Sequence, residues 1–266
     1  MNECQKYLDG AVTAALAAGS YQRHRFASHL EIDLKGDKNL VTEVDREAER
    51  LIVEQLLARF PGHTIIAEEG EYPPGDPMFR WIIDPLDGTT NYAHGFPWFC
   101  VSIAMEAEGE LTAGVIYNPL SDELFTATKG GGAFMNGRSL RVSMRSPLRN
   151  TLLGTGFPYD CATDPANNFA NFIAFQNAAR GIRRAGAAAL DLAYVAAGRL
   201  DGFWELKLKP WDVAAGVLLV REAGGMVTTF DGSAYDVFND RILATNGLIH
   251  GDMTALLAAS DAGGAS

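Results

Sequence analysis

The chain has 266 residues, 47% of them hydrophobic and 21% charged, with a formal net charge of −11 at pH 7. That length suits one large domain or two intimate halves, and the apolar fraction argues against disorder. The acidic balance disfavours generic binding to nucleic-acid backbones, so an anionic ligand would need a local positive centre from arginine, lysine, a helix N-terminus or a bound cation.

Residues 2–18 are Ala-rich, with Leu8, Val12 and Leu16 at helical spacing, which predicts a first helix. This start carries Glu3, Lys6 and Asp9 and lacks a basic segment followed by a long apolar one, so it does not read as a signal peptide. No run approaches the roughly 18 apolar residues of a membrane span. Cys4, Cys100 and Cys161 are widely spaced and odd in number, which fits a reducing cytoplasm better than a disulfide framework. Residues 40–60 predict a second helix, with Thr42 as N-cap, acids in the first turn, and Pro61-Gly62 as the stop. "HTIIAEEG" reads as a short buried strand ending in acids, and "FRWIIDPLDGTT" as another running into a Pro/Gly turn.

From Phe99 to Val142 strand follows strand, with Asn136-Gly137 as a hairpin turn, which predicts an antiparallel meander. The second half alternates. Helices are expected over 165–180 and 187–198, a strand over 200–206, a helix from Trp211 to the Gly224-Gly225 pair, strands over 225–230 and 241–246, and a last helix from about 249. The pattern is α+β, or layered α/β, in one domain of two intimate halves, about 1–145 and 146–266.

The stretch "DPLDGTTN", Asp84 to Asn91, is the most informative. Alone it reads as a β-turn. An EF-hand loop is a poor match, because the further ligands and the glutamate at position twelve are missing. Its company matters more. "WIID" delivers Asp84 from a buried strand, "IIAEEG" delivers Glu68 and Glu69, and "KPWDVAAG" puts Asp212 at a helix start. Taken singly, the Glu pair suits a solvated loop and Asp212 a helix N-cap. Together these acids have the composition of a hard-cation site with oxygen ligands, suited to Mg²⁺. His94 reads as a structural histidine in a turn. "GGGAF" at 130–134 lacks the Lys-Ser/Thr of a P-loop and reads as a hairpin.

Five segments in order carry a resemblance over about residues 35–225: "KGDKNLVTEVD", "IIAEEG", "DPLDGTTNYAHGFP", "RRAGAAALDLAYVAAGRLDGFWE" and "KPWDVAAGVLLVREAGG". They resemble the motifs of the inositol monophosphatase family. The resemblance implies a layered αβαβα sandwich of the type shared with fructose-1,6-bisphosphatase. It also implies a Mg²⁺-dependent, often lithium-sensitive phosphatase, commonly a homodimer, acting on a small-molecule phosphate ester. Two to three Mg²⁺ per active site are implied: one on Glu68, Asp84 and the Leu86 carbonyl, one among Asp84, Asp87 and Asp212, and a weaker third near Glu68. Glu68 and Thr89 would hold the attacking water, so that Glu68, Thr89 and Asp84 form the catalytic set. Gly88 and Thr89 would offer N–H groups to phosphate, helped by a helix start at Thr89. Gly186, Ala187, Ala188 and Glu205, with Asp87 and Asp212, would contact the substrate.

By the same resemblance Lys35 aligns with a lysine near the metal site, and Asp45 with an acid supporting the metal shell; alone they read as a surface lysine and a first-turn helix charge. Two positions depart from the family pattern. Ala187 stands where Thr or Ser is frequent, and Asn39 where Asp is frequent.

Myo-inositol monophosphate leads as substrate. A fructose-1,6-bisphosphatase or broad sugar-phosphate phosphatase is the alternative, with Arg180, Arg183 and Arg184 as candidates for a second phosphate. A nucleotide 3′-phosphatase fits less well, since those relatives usually read D-G-T-K or D-G-T-R. An interaction protein with secondary phosphatase activity is the reading from another class.

Overall fold

In the computed structural model the first helix, α1 (Glu3–Arg25), ends seven residues beyond the end the apolar spacing predicts, and its most buried face is offset from Leu8, Val12 and Leu16. Leu16 is exposed, whereas Ala11, Ala14, Ala15 and Ala18 are fully buried. Small residues let the helix approach its neighbours closely: a Cβ on Gly19 would lie 2.5 Å from the Tyr117 ring. The structure describes residues 2–26, 32–34 and 40–263. The positions of Lys35 and Asn39 lie outside the described residues.

A short antiparallel pair, β1 (Ile32–Leu34) and β2 (Leu40–Thr42), leads into α2 (Glu43–Arg59). Thr42 caps α2 as expected. Its hydroxyl accepts from Val44 N at 3.1 Å, and Asp45 Oδ2 accepts from Thr42 N at 2.8 Å, which makes a capping box.

The next strands are β3 (His63–Ala67) and β4 (Asp76–Asp87), then the one-turn helix α3 (Thr89–Ala93). The meander follows as β5 (Cys100–Ala107), β6 (Glu110–Asn118), β7 (Glu123–Thr128), β8 (Gly132–Met135) and β9 (Arg138–Ser139). These seven strands form one sheet in sequence order, parallel between β3 and β4 and antiparallel elsewhere.

The remainder is β10 (Leu152–Thr155), α4 (Phe169–Ala178), β11 (Gly181–Arg183), α5 (Ala188–Ala196), β12 (Gly202–Leu206), α6 (Pro210–Glu222), β13 (Met226–Thr228), β14 (Arg241–Thr245) and α7 (His250–Gly263). Its sheet runs β11-β10-β12-β14-β13, with β10 parallel to both neighbours. Sequence periodicity misses β10 and β11, which are three or four residues long and too short to show alternation. Helix α4 starts at Phe169 rather than 165, after Asn168 adopts a left-handed φ of 73°.

The layers are α1/α2, the seven-stranded sheet, α5/α6, the five-stranded sheet, and α4/α7, which is the αβαβα sandwich expected. Ile52, Leu56, Trp81 and Val115 fill the first core. Leu190, Leu192, Val213 and Val217 fill the space between the sheets. Phe175, Trp204, Leu243 and Met253 fill the third. Helices α5 and α6 pack closely because position 216 is glycine: a Cβ there would sit 2.5 Å from Leu192 Cβ. The functional acids gather along the edge of this central layer. No helix among the described residues is long and apolar enough to cross a membrane.

Candidate active site

Strands β3 and β4 run parallel with Ala67 opposite Ile83, so Glu68 leaves its strand beside Asp84. Asp84 does not end its strand in a free turn, as the Pro/Gly chemistry suggests. Strand β4 continues to Asp87, and its pairing with β5 slips from Asp84–Ser102 to Asp87–Cys100. Three steps on β4 oppose two on β5, which is a bulge. Leu86 N donates to Asp84 Oδ1 at 2.9 Å across it, and Gln22 Nε2 donates to Pro85 O at 2.6 Å from α1. Asp212 enters from another layer, in the first turn of α6, where its Oδ2 accepts from Lys209 N at 2.7 Å. A proline at the first position of α6 suits a helix start.

Glu68, Asp84, Asp87 and Asp212 thus line one cavity of about 720 Å³, together with Leu86, Gly88 and Thr89. Burial raises the Asp84 carboxyl well above its usual range, and the negative charges of Glu68, Asp87 and Asp212 push it further. Loss of hydration raises Asp87 and Asp212 to about 7 each, although backbone N–H groups of Ala189 and Lys209 oppose the shift. Ala189 N donates to Asp87 Oδ2 at 2.7 Å. Such a cluster is short of positive charge, and its donors are all hard oxygens, which is the chemistry of a divalent-cation site. Among the described residues, no three Asp, Glu, His or Cys side chains form a ready-made cage. A cation here would share carboxylates, the Leu86 carbonyl and water, which suits Mg²⁺ because it keeps several waters.

Gly88 has φ +99°, and a Cβ on it would lie 2.9 Å from Trp98 O, so glycine is required twice over. Thr89 Oγ1 donates to Asp45 Oδ1 at 2.8 Å and reaches Leu86 O at 3.1 Å. Asp45 is therefore both a capping residue and a tether for Thr89, and its two sequence readings meet in one side chain. Because α3 is a single turn, its dipole adds less at Thr89 than a full helix would.

Gly186, Ala187, Ala188 and Glu205 line the same cavity. Burial raises the Glu205 carboxyl well above its usual range, with help from the charges of Asp191 and Asp212. Glu205 lies against Gly156, where a Cβ would come within 2.1 Å of Oε1. Of the three arginines considered for a second phosphate, only Arg184 lines the cavity. Arg180 Nη2 donates to Asn150 Oδ1, and Arg183 Nη1 to Ile182 O. His94 is exposed and caps α3 through its backbone, as a structural residue would.

Sequence reasoning missed Asn91, Tyr159 and Asp191. Asn91 is the last letter of the octapeptide itself. Tyr159 reaches the cavity on a loop with no periodic signal. Asp191 hides inside the apolar stripe of α5, its Oδ1 enclosed without a hydrogen-bond partner.

The family model described as "Inositol monophosphatase family" matches residues 3–262. The "Inositol-1-monophosphatase" of Synechocystis sp. is 46% identical over 261 residues, covering 97% of this chain and 91% of that protein. The "Nus factor SuhB" of Pseudomonas aeruginosa is 48% identical over 249 residues, covering 91% and 92%. The solved inositol monophosphatase of Anabaena (Nostoc) sp. PCC 7120 superposes with a TM-score of 0.89 at 44% identity, covering 97% of each chain. This protein belongs to the inositol monophosphatase family and is a phosphatase.

Proposed function

We propose that this chain hydrolyses a phosphate monoester in a Mg²⁺-dependent reaction, with myo-inositol monophosphate as its preferred substrate. The observation that carries the reading is the convergence of Glu68, Asp84, Asp87 and Asp212 on one cavity beside Gly88 and Thr89. Glu68, Asp84, Asp87, Asp212 and the Leu86 carbonyl would hold two to three Mg²⁺ ions. When bound, the ions supply positive charge for the phosphoryl oxygens and lower the pKa of a bound water.

The chain's own groups do the rest. Thr89 Oγ1, oriented by Asp45, and the Glu68 carboxylate would hold the attacking water, and Glu68 would accept its proton. The Gly88 and Thr89 N–H groups take phosphoryl oxygens, and the left-handed backbone at Gly88 allows that approach. Glu205 and the Ala188 backbone orient hydroxyls on the ring. Binding at the ring end then holds the ester in line for displacement. Homodimerisation, lithium sensitivity and a cytoplasmic location are part of the same reading.

The test is phosphate release from a panel: myo-inositol 1-phosphate, fructose 1,6-bisphosphate, histidinol phosphate and adenosine 3′,5′-bisphosphate, each with and without Mg²⁺. Preference for inositol phosphate supports the reading. Preference for the bisphosphate sugar would replace it with the alternative, for which Arg184 is the remaining anchor. The name of the Pseudomonas relative supports a second, additive reading, a protein-partner role alongside catalysis. Binding of purified Nus factors by a catalytically dead variant would test that role separately.

A further inference from the structure

Three consecutive residues of α3 reach three walls of the cavity. Thr89 turns back to Asp45 and Leu86 on the acid side. Thr90 lines the cavity together with Tyr159, which sits on the loop after β10. Asn91 Nδ2 faces three carbonyls: Trp98 O at 2.7 Å, Ala185 O at 2.9 Å and Gly186 O at 3.3 Å. An amide carries two protons, so the two shorter contacts are the full bonds and the third is shared. One bond closes the loop after α3. The other crosses 94 positions to the segment that leads into α5.

That segment needs a tether. Strand β11 ends at Arg183 and α5 begins at Ala188, so residues 184–187 belong to no ladder. Gly186 sits at φ +86° within it, with Asn91 Nδ2 3.4 Å from where a Cβ would be. Immediately downstream, Ala189 N donates to Asp87, and Gly186, Ala187 and Ala188 line the cavity. One side chain therefore connects the helix that carries Thr89 to the wall that faces the ring.

We infer that Asn91 is the positioning residue that fixes the spacing between the phosphate end and the polyol end of this site. The inference rests on the proposed function for the identity of the two ends. Asn91 touches no reacting atom; it acts through Ala185 and Gly186.

Two variants test this. Asn91→Asp keeps the shape and replaces the donor with an oxygen that repels both carbonyls. Asn91→Ala removes the group. The readout is the ratio of kcat/KM for the ring substrate that wild type turns over fastest to that for glycerol 2-phosphate, which has no ring. The ratio is expected to fall roughly tenfold in both variants, mostly through KM, as expected for loss of a partly buried hydrogen bond. Equal losses on both substrates, or no loss, would overturn the inference and leave Asn91 a plain packing residue. Amide hydrogen exchange supplies an arm that does not depend on any substrate. Residues 184–190 are expected to exchange about tenfold faster in Asn91→Asp, while α2 and α6 keep wild-type protection. Unchanged exchange there would also overturn it. Failure of the wild type on inositol phosphate is a different result: it removes the substrate reading and leaves the exchange arm standing.

Discussion

Asp84 is buried among three other acids, and its carboxyl resists ionisation for want of a counter-charge. Asp84→Asn should lower Mg²⁺-dependent phosphate release by roughly 10²-fold or more, with an unchanged far-UV circular dichroism spectrum. Full activity in that variant would refute the metal assignment. Gly156 gives a finer test of the ring end. A methyl group there collides with the Glu205 carboxylate, which must move. On the proposed function, Gly156→Ala should therefore raise KM for inositol phosphate by roughly five- to tenfold and change kcat little, since Glu205 would bond the ring rather than the phosphoryl group. At this scale the sequence was informative about chemistry and silent about contact. Glu68, Asp84, Asp87 and Asp212 are legible because carboxylates at element ends are expensive without a partner. Asn91 and Tyr159 are not, because an amide or a phenol in a loop has many uses and only its neighbours choose among them.

Between elements, close approach rather than periodicity decides the arrangement. Helix α6 meets α5 at Gly216 and meets β6 where Gly114 would carry a Cβ 3.2 Å from the Ala215 backbone. Gly216→Ala should destabilise the protein by about 1–3 kcal/mol through overpacking, measured by urea denaturation with an unchanged m-value. The joint of β13, β14 and α7 makes a pH prediction. His250 is buried, with Nε2 2.9 Å from Thr228 Oγ1 and Nδ1 2.9 Å from Thr245 Oγ1, and burial lowers its pKa below the usual value. The neutral ring is thus favoured in the fold. Above about pH 6.5 neither state binds the proton. As pH falls through that value, the unfolded chain takes it up first, so stability drops until the folded pKa is also passed. Tm should decline more steeply between pH 7 and pH 5 in wild type than in His250→Gln; identical slopes would exclude this residue as a cause. The first helix shows how apolar spacing can mislead. Leu8, Val12 and Leu16 gave the element, but the fully buried face is built mainly of alanine and glycine, with Tyr7 and Gln22 towards its ends, while Leu8 and Val12 are only partly buried and Leu16 is exposed.

For the molecule as a whole, metal and fold are linked. A ligand that binds only the native state stabilises it by mass action, by about 2.7 kcal/mol at one hundred times its dissociation constant. For a chain of this size each kcal/mol corresponds to roughly 2–4 °C. Mg²⁺ should therefore raise Tm by several degrees and EDTA should reverse it, while Asp84→Asn should lose most of the shift. The acids come from two layers: Glu68 from just past β3, Asp84 and Asp87 from β4 of the seven-stranded sheet, and Asp212 from α6. A metal held by these four acids would clamp the central layer against the seven-stranded sheet.

The sequence by itself determined the class of chemistry, the layered α+β pattern and the order of the motifs. Composition, element type and the cost of a bare carboxylate are local properties, and a short motif states them in full. The tertiary structure alone decided that "DPLDGTTN" is a bulged strand end plus one helical turn rather than an isolated turn. It also decided that Arg184 faces the cavity while Arg180 and Arg183 face away, and that Asn91 reaches residues 94 and 95 positions further along the chain. Those outcomes depend on which distant backbone lies opposite each side chain, and strand pairing and helix packing settle that only when the whole sandwich has closed.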